Sequence, residues 1–521
     1  MSAGAPASAP ARPWPTAVRL RASAAYWAPL LPAQATVLLL CAPADAGTVT
    51  AWGTVAPADA ASAVLVVCCG LRLLRHRARP LSRTAALVLG APVVGAALAT
   101  VASADPAASL PGLVRHLQIF VLVPAALLLT LRDARDFRVT AGSLVLLALV
   151  QGGLGVHQYL TATGASYMGH TIRAVGTFGP LDVMGMATVV GCGLTAALAL
   201  GLAPAPNAPG LLRPAALCGA AALVVPLAWS FSRGAWIATA VAVGVVLSAA
   251  GVRVVAGVLT VLVALAVVLV GGAGVGSAVL GERLASITAV ADAPDRSVTD
   301  RYALWAAAAG MWRDRPLTGV GPKQFPAHRD GHAPLGLSSG GDTAGAGVPF
   351  RREPLLSPHN VYLLALAEQG LIGATALVGS WAALLVCGLR RLWRVRRGAV
   401  AGWCGGGKGR GRVEPGQADL GQAGRGRVEL GRVDRGGLGC GRSGRGRVDC
   451  GLVAVGLLVW QAVDFLSSDI GGPSTVLTAV LLGLVGWWAL EPGAVREPGA
   501  VPAPGPVREP ESGRVPARCG T

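Results

Sequence analysis

The sequence predicts an all-α polytopic membrane protein with about twelve transmembrane helices, and three observations support that fold class. Of the 521 residues, 53% are hydrophobic and only 13% are charged. The mean hydropathy is +0.58, higher than expected for a soluble protein of this length. Apolar stretches of about 20 residues, the length that crosses a bilayer, recur from residue 24 to residue 490.

The candidate spans divide the chain into membrane and non-membrane segments. Transmembrane helices 1–9 are predicted in residues 24–271, helix 10 in 359–389, and helices 11–12 in 451–490. The first two helices are the weakest candidates because prolines interrupt them. The individual spans are 24–42, 55–74, 84–101, 112–131, 139–160, 181–202, 214–231, 234–250, 253–271, 359–389, 451–468 and 474–490.

The remaining segments are polar or low in complexity. Residues 1–23 and 491–521 are predicted tails, the latter disordered. Residues 390–450 repeat "GRGRV" and contain too little apolar surface for a core, which indicates a disordered linker rather than a nucleic-acid-binding segment. Residues 272–358 form a large loop. Within it, segment 296–322 predicts a helix that starts at a capping box formed by Ser297 and Asp300, ends before "PLTGVGP" and lies at the membrane surface.

Arginine in short loops sets the predicted orientation. Loops 72–83, 131–138 and 389–397 are rich in arginine and fall on one side when twelve spans alternate. Cytoplasmic loops of membrane proteins carry such an excess of positive charge. Both termini are therefore expected in the cytoplasm, and segments 161–180 and 272–358 outside the plasma membrane.

Neither a metal site nor a cofactor is expected. The ten cysteines show no metal-ligand spacing and no disulfide framework. His328 and His332 are four residues apart, but glycine and prolines nearby disfavour a helix and no third zinc ligand is evident.

Three arginines on the predicted outer side are candidate functional residues. Arg233 lies in "SFSRGAWIA" between two spans, Arg173 lies in "YMGHTIRAVGTFGP", and Arg301 begins a predicted helix. A snorkelling side chain would explain Arg233, and a solvated loop would explain Arg173. For Arg301, a cation in the first helical turn opposes the helix dipole, which an anionic ligand would offset.

A histidine opens the next apolar helix in "LLSPHNVYLLALAEQGLIGA". Ser357 and Pro358 fit the N-cap and first helical position, which places His359 and Asn360 in the first turn. There the positive end of the helix dipole favours neutral imidazole, which is able to act as a general base. A simple capping histidine is the alternative.

Two acids are possible supporting residues. Asp464 lies inside a predicted span, where a carboxylate is usually paired or functional. Glu368 lies about two turns into the helix that follows His359. Three arginines and a histidine on one side of the membrane together favour a diphosphate ligand, because arginine binds phosphate in bidentate fashion.

The same segments resemble a known family. "SFSRGAWIA", "DRYALWAAAAGMWRDRPLTGVGPKQF" and "HNVYLLALAEQGLIG" are similar, in this order, to signature segments of the O-antigen ligase and O-antigen polymerase superfamily. The similarity covers roughly residues 170–390. It implies a membrane glycosyltransferase with a helical fold of the GT-C type, acting without metal or nucleotide sugar.

The resemblance also implies roles for individual residues. Arg173, Arg233 and Arg301 match positions thought to hold the diphosphate of an undecaprenyl-linked glycan donor. His359 matches the histidine proposed to act on the acceptor hydroxyl, on a glycan, lipid or wall acceptor. The chain departs from the family after "GTF", where it reads Gly179-Pro180-Leu181-Asp182, and its glycine-rich segment 331–348 resembles an insertion.

Two alternatives remain open from sequence. Ligases and polymerases share these motifs, so the sugar, linkage and acceptor are not determined. A polysaccharide exporter or lipid-linked oligosaccharide flippase is the competing function, although no internal repeat typical of transporters is found.

Overall fold

The protein is a helical bundle with two small β-hairpins. The computed structural model describes residues 27–43, 46–50, 53–76, 81–167, 171–179, 182, 184–203, 208–251, 255–257, 296–333, 357–405, 447–470 and 474–490. The helices are α1 Leu31–Leu38, α2 Pro57–His76, α3 Arg83–Ala102, α4 Pro106–Thr130, α5 Ala134–Leu160, α6 Gly185–Leu202, α7 Leu212–Trp229, α8 Arg233–Ala250, α9 Arg296–Asp314, α10 Phe325–Arg329, α11 Val361–Gly405, α12 Val448–Asp464 and α13 Thr475–Leu490.

The strands form two antiparallel pairs. Strand β1 (Thr48–Thr50) pairs with β2 (Gly53–Val55), and β3 (Ala165–Tyr167) pairs with β4 (Thr171–Arg173). Short 3₁₀ turns follow α1 at Leu39–Cys41 and β4 at Gly176–Phe178. Within α4, residues Gln118–Leu122 form a π-helical turn between two α-helical parts.

Within the described residues, eight helices are long and apolar enough to cross a membrane. They are Pro57–Arg75, Arg83–Ala102, Pro106–Thr130, Ala134–Leu160, Gly185–Leu202, Leu212–Trp229, Arg233–Ala250 and Val361–Arg397. The protein is therefore a polytopic membrane protein, and eight of the roughly twelve predicted spans correspond to full-length apolar helices in the part of the chain that the structure describes. The span predicted at 253–271 lies mostly outside the described residues.

The predicted first and last spans are shorter than expected. The first apolar helix extends only over Leu31–Cys41, and α13 has 16 residues. At 1.5 Å per residue, a helix as long as α13 is about 24 Å long, less than the roughly 30 Å of a bilayer core. Neighbouring helices surround α13, and all but one of its residues are buried.

Helix α11 differs from its predicted boundaries at both ends. It begins at Val361 and continues to Gly405, past the predicted end at residue 389. Beyond residue 389, Arg391 and Arg396 attach the helix to two others, because their side chains donate to main-chain oxygens near the ends of α13 and α8. The acceptors are Trp488 O, at 2.5 Å, and Ala250 O, at 3.1 Å. Residues 406–446 of the predicted linker lie outside the described residues.

The bundle has two chemically different ends. One end, called the arginine end, contains Arg132, Arg138, Arg391 and Arg396, with Asp449 at the start of α12. The opposite end, called the site end, contains the last turns of α5, α7 and α12 and the first turns of α8 and α11. Contacts between residues 159 and 229, 234 and 467, and 361 and 465 join these turns and the loop after α12.

Candidate active site

His359 lies in a strained backbone position just before α11. Its φ is +50°, in the left-handed region that non-glycine residues rarely adopt. The predicted cap at Ser357 is wrong, because Asn360 caps the helix through its Oδ1, which accepts from Leu363 N at 3.0 Å. His359 therefore precedes the helix. Strain of this kind is often found at functional sites.

An aspartate holds the imidazole of His359. The Nδ1 atom lies 2.5 Å from Oδ2 of Asp469, and both side chains are roughly three-quarters buried, with 26% and 29% exposed. Ser357 donates its hydroxyl to the other oxygen of Asp469 and accepts from His359 N at 3.1 Å. Sequence reasoning missed Asp469. Its signal was an acid in the short outer turn "LSSD" after a span.

The segment around His359 is fixed to the end of α12 by hydrogen bonds. Asn360 Nδ2 donates to Leu466 O at 3.1 Å, and Val361 N donates to Phe465 O at 2.9 Å. The Tyr362 hydroxyl donates to Ala462 O at 2.6 Å. Asn360 therefore positions the site by capping α11 and by binding the turn that leads to Asp469.

Helix α9 brings Arg301 towards the same segment. Its buried face consists of Leu304, Ala308 and Met311, which pack in one cluster with Ala367 of α11. Trp305 donates from Nε1 to Pro358 O at 2.9 Å, one residue before His359. Arg301 lies one turn before Trp305 on α9. Its Nε atom is buried and has no hydrogen-bond partner among the described residues.

Arg233 is the first residue of α8 and is exposed at the site end. Ser232 caps the helix, with its hydroxyl accepting from Ala235 N at 3.3 Å. The next residue, Gly234, lies so close to Ser467 that a Cβ would overlap the serine hydroxyl. This contact places the start of α8 against the turn that carries Asp469.

Arg173 ends strand β4 and is close in sequence to a contact with α7. The following residue, Ala174, donates from its main-chain N to Trp229 O at 3.5 Å, four residues before Arg233. The side chain of Arg173 lies outside the described part of the structure. Four candidate segments therefore converge at the site end, although their side chains come from widely separated parts of the chain.

The two candidate supporting acids have different surroundings. Asp464 is 2% exposed and accepts from the Ser468 hydroxyl at 2.7 Å, so the contact seen here is with a serine and not with Arg233 or Arg301. Glu368 accepts main-chain hydrogen bonds from Lys323 N at 2.8 Å and Phe325 N at 3.0 Å. Glu368 thus anchors the loop after α9.

That loop, residues 316–325, docks where α11 is interrupted. Gly370 adopts φ +60° and ψ −166°, a conformation essentially restricted to glycine. Leu371 N and Ile372 N donate to Pro316 O and Leu317 O at 2.8 and 3.1 Å. In the opposite direction, the loop donates to the helix: Val320 N to Ala367 O at 3.0 Å and Gly321 N to Glu368 O at 2.9 Å. The docking ties α9 rigidly to α11.

The two histidines considered as zinc ligands have other contacts. His332 forms an ion pair with Asp314 at 2.7 Å, and His328 Nδ1 lies 3.1 Å from Gln324 O. The hydrogen bond to the His328 carbonyl oxygen and the pair with Asp314 raise the pKa of His332. In the part of the chain that the structure describes, no group of three or more potential metal ligands occurs.

Comparison with known sequences finds a family similarity in the central part of the chain. Residues 218–378 match the sequence model of the O-antigen ligase family. The match contains Arg233, Arg301, His359 and Glu368, while Asp469 lies beyond it. No curated protein matches the chain significantly. This multi-pass membrane protein is therefore similar to the O-antigen ligase family over residues 218–378, about a third of its chain.

Proposed function

We propose that the protein is a membrane glycosyltransferase that moves or polymerises a glycan from an undecaprenyl-diphosphate carrier. The acceptor is a hydroxyl group at the outer face of the plasma membrane. The observation that carries this proposal is the His359–Asp469 pair, 2.5 Å apart, beside the helix that bears Arg301. The family of residues 218–378 supports a lipid-linked glycan as donor.

His359 acts as the general base. With Nδ1–H donating to Asp469, a neutral imidazole presents its lone pair at Nε2, the nitrogen that accepts a proton. Asp469 is a positioning residue that fixes this tautomer and stabilises the imidazolium once it forms. The Ser357 hydroxyl holds the carboxylate from the other side.

The reaction balances without a further reactant. The acceptor oxygen attacks the anomeric carbon of the carrier-linked sugar, and its proton passes to Nε2 of His359. The bond between the anomeric carbon and the diphosphate oxygen breaks, and undecaprenyl diphosphate leaves with the electron pair. Attack from the face opposite the leaving group inverts the anomeric configuration.

Arg301, Arg233 and Arg173 hold the diphosphate. The buried Nε of Arg301 favours this role, because a buried guanidinium donor is normally hydrogen-bonded and an anionic oxygen would complete it. Negative charge on the diphosphate increases as the sugar–oxygen bond breaks. Fixed cations at that position therefore stabilise the transition state more than the bound donor.

The charge distribution supports an outward-facing site. Arg132, Arg138, Arg391 and Arg396 lie at the end of the bundle opposite His359. Such an excess of arginine marks the cytoplasmic side of a membrane protein. Under this orientation His359 faces the extracytoplasmic space, and both termini are cytoplasmic.

The test uses full-length protein in lipid nanodiscs with the lipid-linked glycan pool of its native host. The variants are His359→Asn, which tolerates the left-handed backbone, and Asp469→Asn. His157→Asn, at an exposed position at the end of α5, is the matched control. Release of undecaprenyl diphosphate and binding of the carrier are measured separately.

We expect both site variants to bind the carrier but to release undecaprenyl diphosphate roughly 10²- to 10⁴-fold more slowly. His359→Asn removes the general base, whereas Asp469→Asn no longer fixes the tautomer of that base. The control keeps the wild-type rate. If wild type moves the lipid-linked glycan across the membrane without releasing the carrier, the protein is a flippase or exporter and the proposal is wrong.

A further inference from the structure

An aromatic pair lies next to the candidate site and has no role in the mechanism above. The rings of Tyr302 and Trp305 on α9 meet edge to face, with centroids 5.5 Å apart and an interplanar angle of 85°. Tyr302 is 58% exposed, an unusual degree of exposure for a large aromatic side chain. The pair therefore presents an open aromatic surface.

The position of this surface relative to His359 is fixed. The indole Nε1 of Trp305 donates to Pro358 O at 2.9 Å. Leu304, between the two aromatic residues, is fully buried in the cluster that joins α9 to α11. The ring of Trp305 is thus held one residue away from His359, and Tyr302 packs against it.

The chemistry of the surface fits a sugar ring. The face of an aromatic ring is electron-rich, so it attracts the weakly positive C–H groups on the apolar face of a pyranose. In the proposed donor the first sugar is bonded directly to the diphosphate. Arg301 lies one helical turn before Trp305 on the same face of α9, so a diphosphate held by Arg301 brings that sugar beside the aromatic pair.

We propose that Tyr302 and Trp305 form the stacking surface for the carrier-proximal pyranose of the donor glycan. This inference rests on the proposed function and adds a sugar-binding subsite to it. Stacking orients the ring so that its anomeric carbon faces the acceptor near His359. It also makes the enzyme recognise the glycan itself in addition to the diphosphate and the lipid.

A tyrosine at the lipid headgroups would also be exposed, because tyrosine is enriched at membrane interfaces. The two roles differ in which ligand they affect. A sugar-stacking residue affects binding of the glycan-bearing carrier and leaves binding of the bare carrier unchanged. An anchor at the membrane interface would change binding of both carriers equally or would change neither.

The experiment measures binding of two probes to full-length protein in nanodiscs: undecaprenyl diphosphate, and the undecaprenyl-diphosphate-linked glycan extracted from the native host. Tyr302→Leu keeps apolar volume but removes the aromatic face, whereas Tyr302→Phe keeps the face. Trp393→Leu is the matched control, since Trp393 is 61% exposed at the arginine end.

We expect Tyr302→Leu to weaken binding of the lipid-linked glycan by about three- to tenfold, with undecaprenyl diphosphate bound as by wild type. Tyr302→Phe and Trp393→Leu should leave both affinities within about twofold of wild type. Equal losses for both probes, or no loss for either, would overturn the inference.

The two proposals fail in distinguishable ways. If His359→Asn turns over the carrier normally while Tyr302→Leu selectively loses the glycan, transfer is wrong but the sugar-binding surface remains. If His359→Asn is inactive and Tyr302→Leu binds both probes normally, transfer stands and the aromatic pair has no role in sugar binding.

Discussion

The arginines at the two ends of the bundle have different partners. At the arginine end, Arg138 lies 2.5 Å from the buried carboxylate of Asp449, and Arg132 lies 2.8 Å from Asp136. At the site end, Arg301 has a buried Nε with no hydrogen-bond partner within the described residues. An arginine paired with a carboxylate of the protein stabilises the fold. An arginine with a buried donor that lacks a protein acceptor is suited to bind an anionic ligand.

Among the variants that test this difference between the two ends, Arg301→Gln should have the largest effect on activity. Loss of one cation that stabilises the leaving diphosphate should slow release of undecaprenyl diphosphate roughly 10²- to 10³-fold. Thermal stability should not fall, because the buried Nε leaves no protein partner behind. Equal activity in wild type and variant would show that Arg301 is not a ligand residue. Arg301→Lys should be intermediate, since it keeps the charge but loses bidentate geometry.

Gly370→Ala tests whether the site end depends on the interrupted helix. An alanine would be strained at φ +60° and would overlap the main chain of Leu317, so we expect a stability loss of about 3 kcal/mol or more. Thermal unfolding in nanodiscs measures it.

Gly379→Ala is the control for that variant. This glycine lies in the same helix, and a Cβ added to it would have no other atom within 4 Å among the described residues. Alanine there should raise stability by up to about 1 kcal/mol. A similar loss in both variants would contradict a special role for the Gly370 break.

Asp449→Asn tests the opposite end. Asp449→Asn removes the carboxylate charge that faces the largely buried guanidinium of Arg138, and stability should fall by about 2 kcal/mol. The rate of carrier release per folded molecule should stay at the wild-type level, in contrast to Arg301→Gln. If the variant released the carrier more slowly but were as stable as wild type, the arginine end would not serve only to stabilise the fold.

The ion pair of His332 with Asp314 gives the smallest expected effect and depends on pH. The pKa of His332 is raised, so the pair stabilises the folded state fully below the unfolded value of 6.5. This contribution is lost as pH rises through the higher folded pKa. Because Asp314 is mostly exposed, the effect should be below about 1 kcal/mol. When stability is measured against pH, His332→Gln should no longer show the decrease that the ion pair causes. An unchanged pH dependence in this variant would contradict a stabilising role of the pair.

The sequence was sufficient for the helical class and for the segments that meet at the site end. The length of an apolar stretch predicts a membrane helix because the bilayer thickness sets that length. An arginine close to the membrane is energetically costly, so it indicates a functional site. The sequence was not sufficient where a contact between distant segments decides the local structure. Asn360 caps α11 because its amide also binds Leu466, so the locally plausible cap at Ser357 is not used.

Two further features were hidden for the same reason. Gly370 reads as a glycine inside a continuous apolar helix, and only the docked main chain of Pro316 and Leu317 explains the interruption. Asp469 lies 110 residues after His359 in the chain, as their numbers show. No local pattern connects the two, and the prominent acid in the same segment was Asp464.

The docking of the 316–325 loop at Gly370 determines which sequence changes leave the contact between α9 and α11 intact. Main-chain hydrogen bonds do not depend on side-chain identity, so α9 stays bound to α11 when loop residues other than Gly319 and Gly321 change. These two glycines have positive φ and leave no room for a Cβ. The next segment leaves from Ala333, which packs on the α9–α11 cluster, and returns at Ser357, which is bonded to Asp469. Both ends of the intervening stretch are therefore held independently of its length. Changes of length or sequence between these two anchors can therefore leave the pairing of His359 with Asp469 in place.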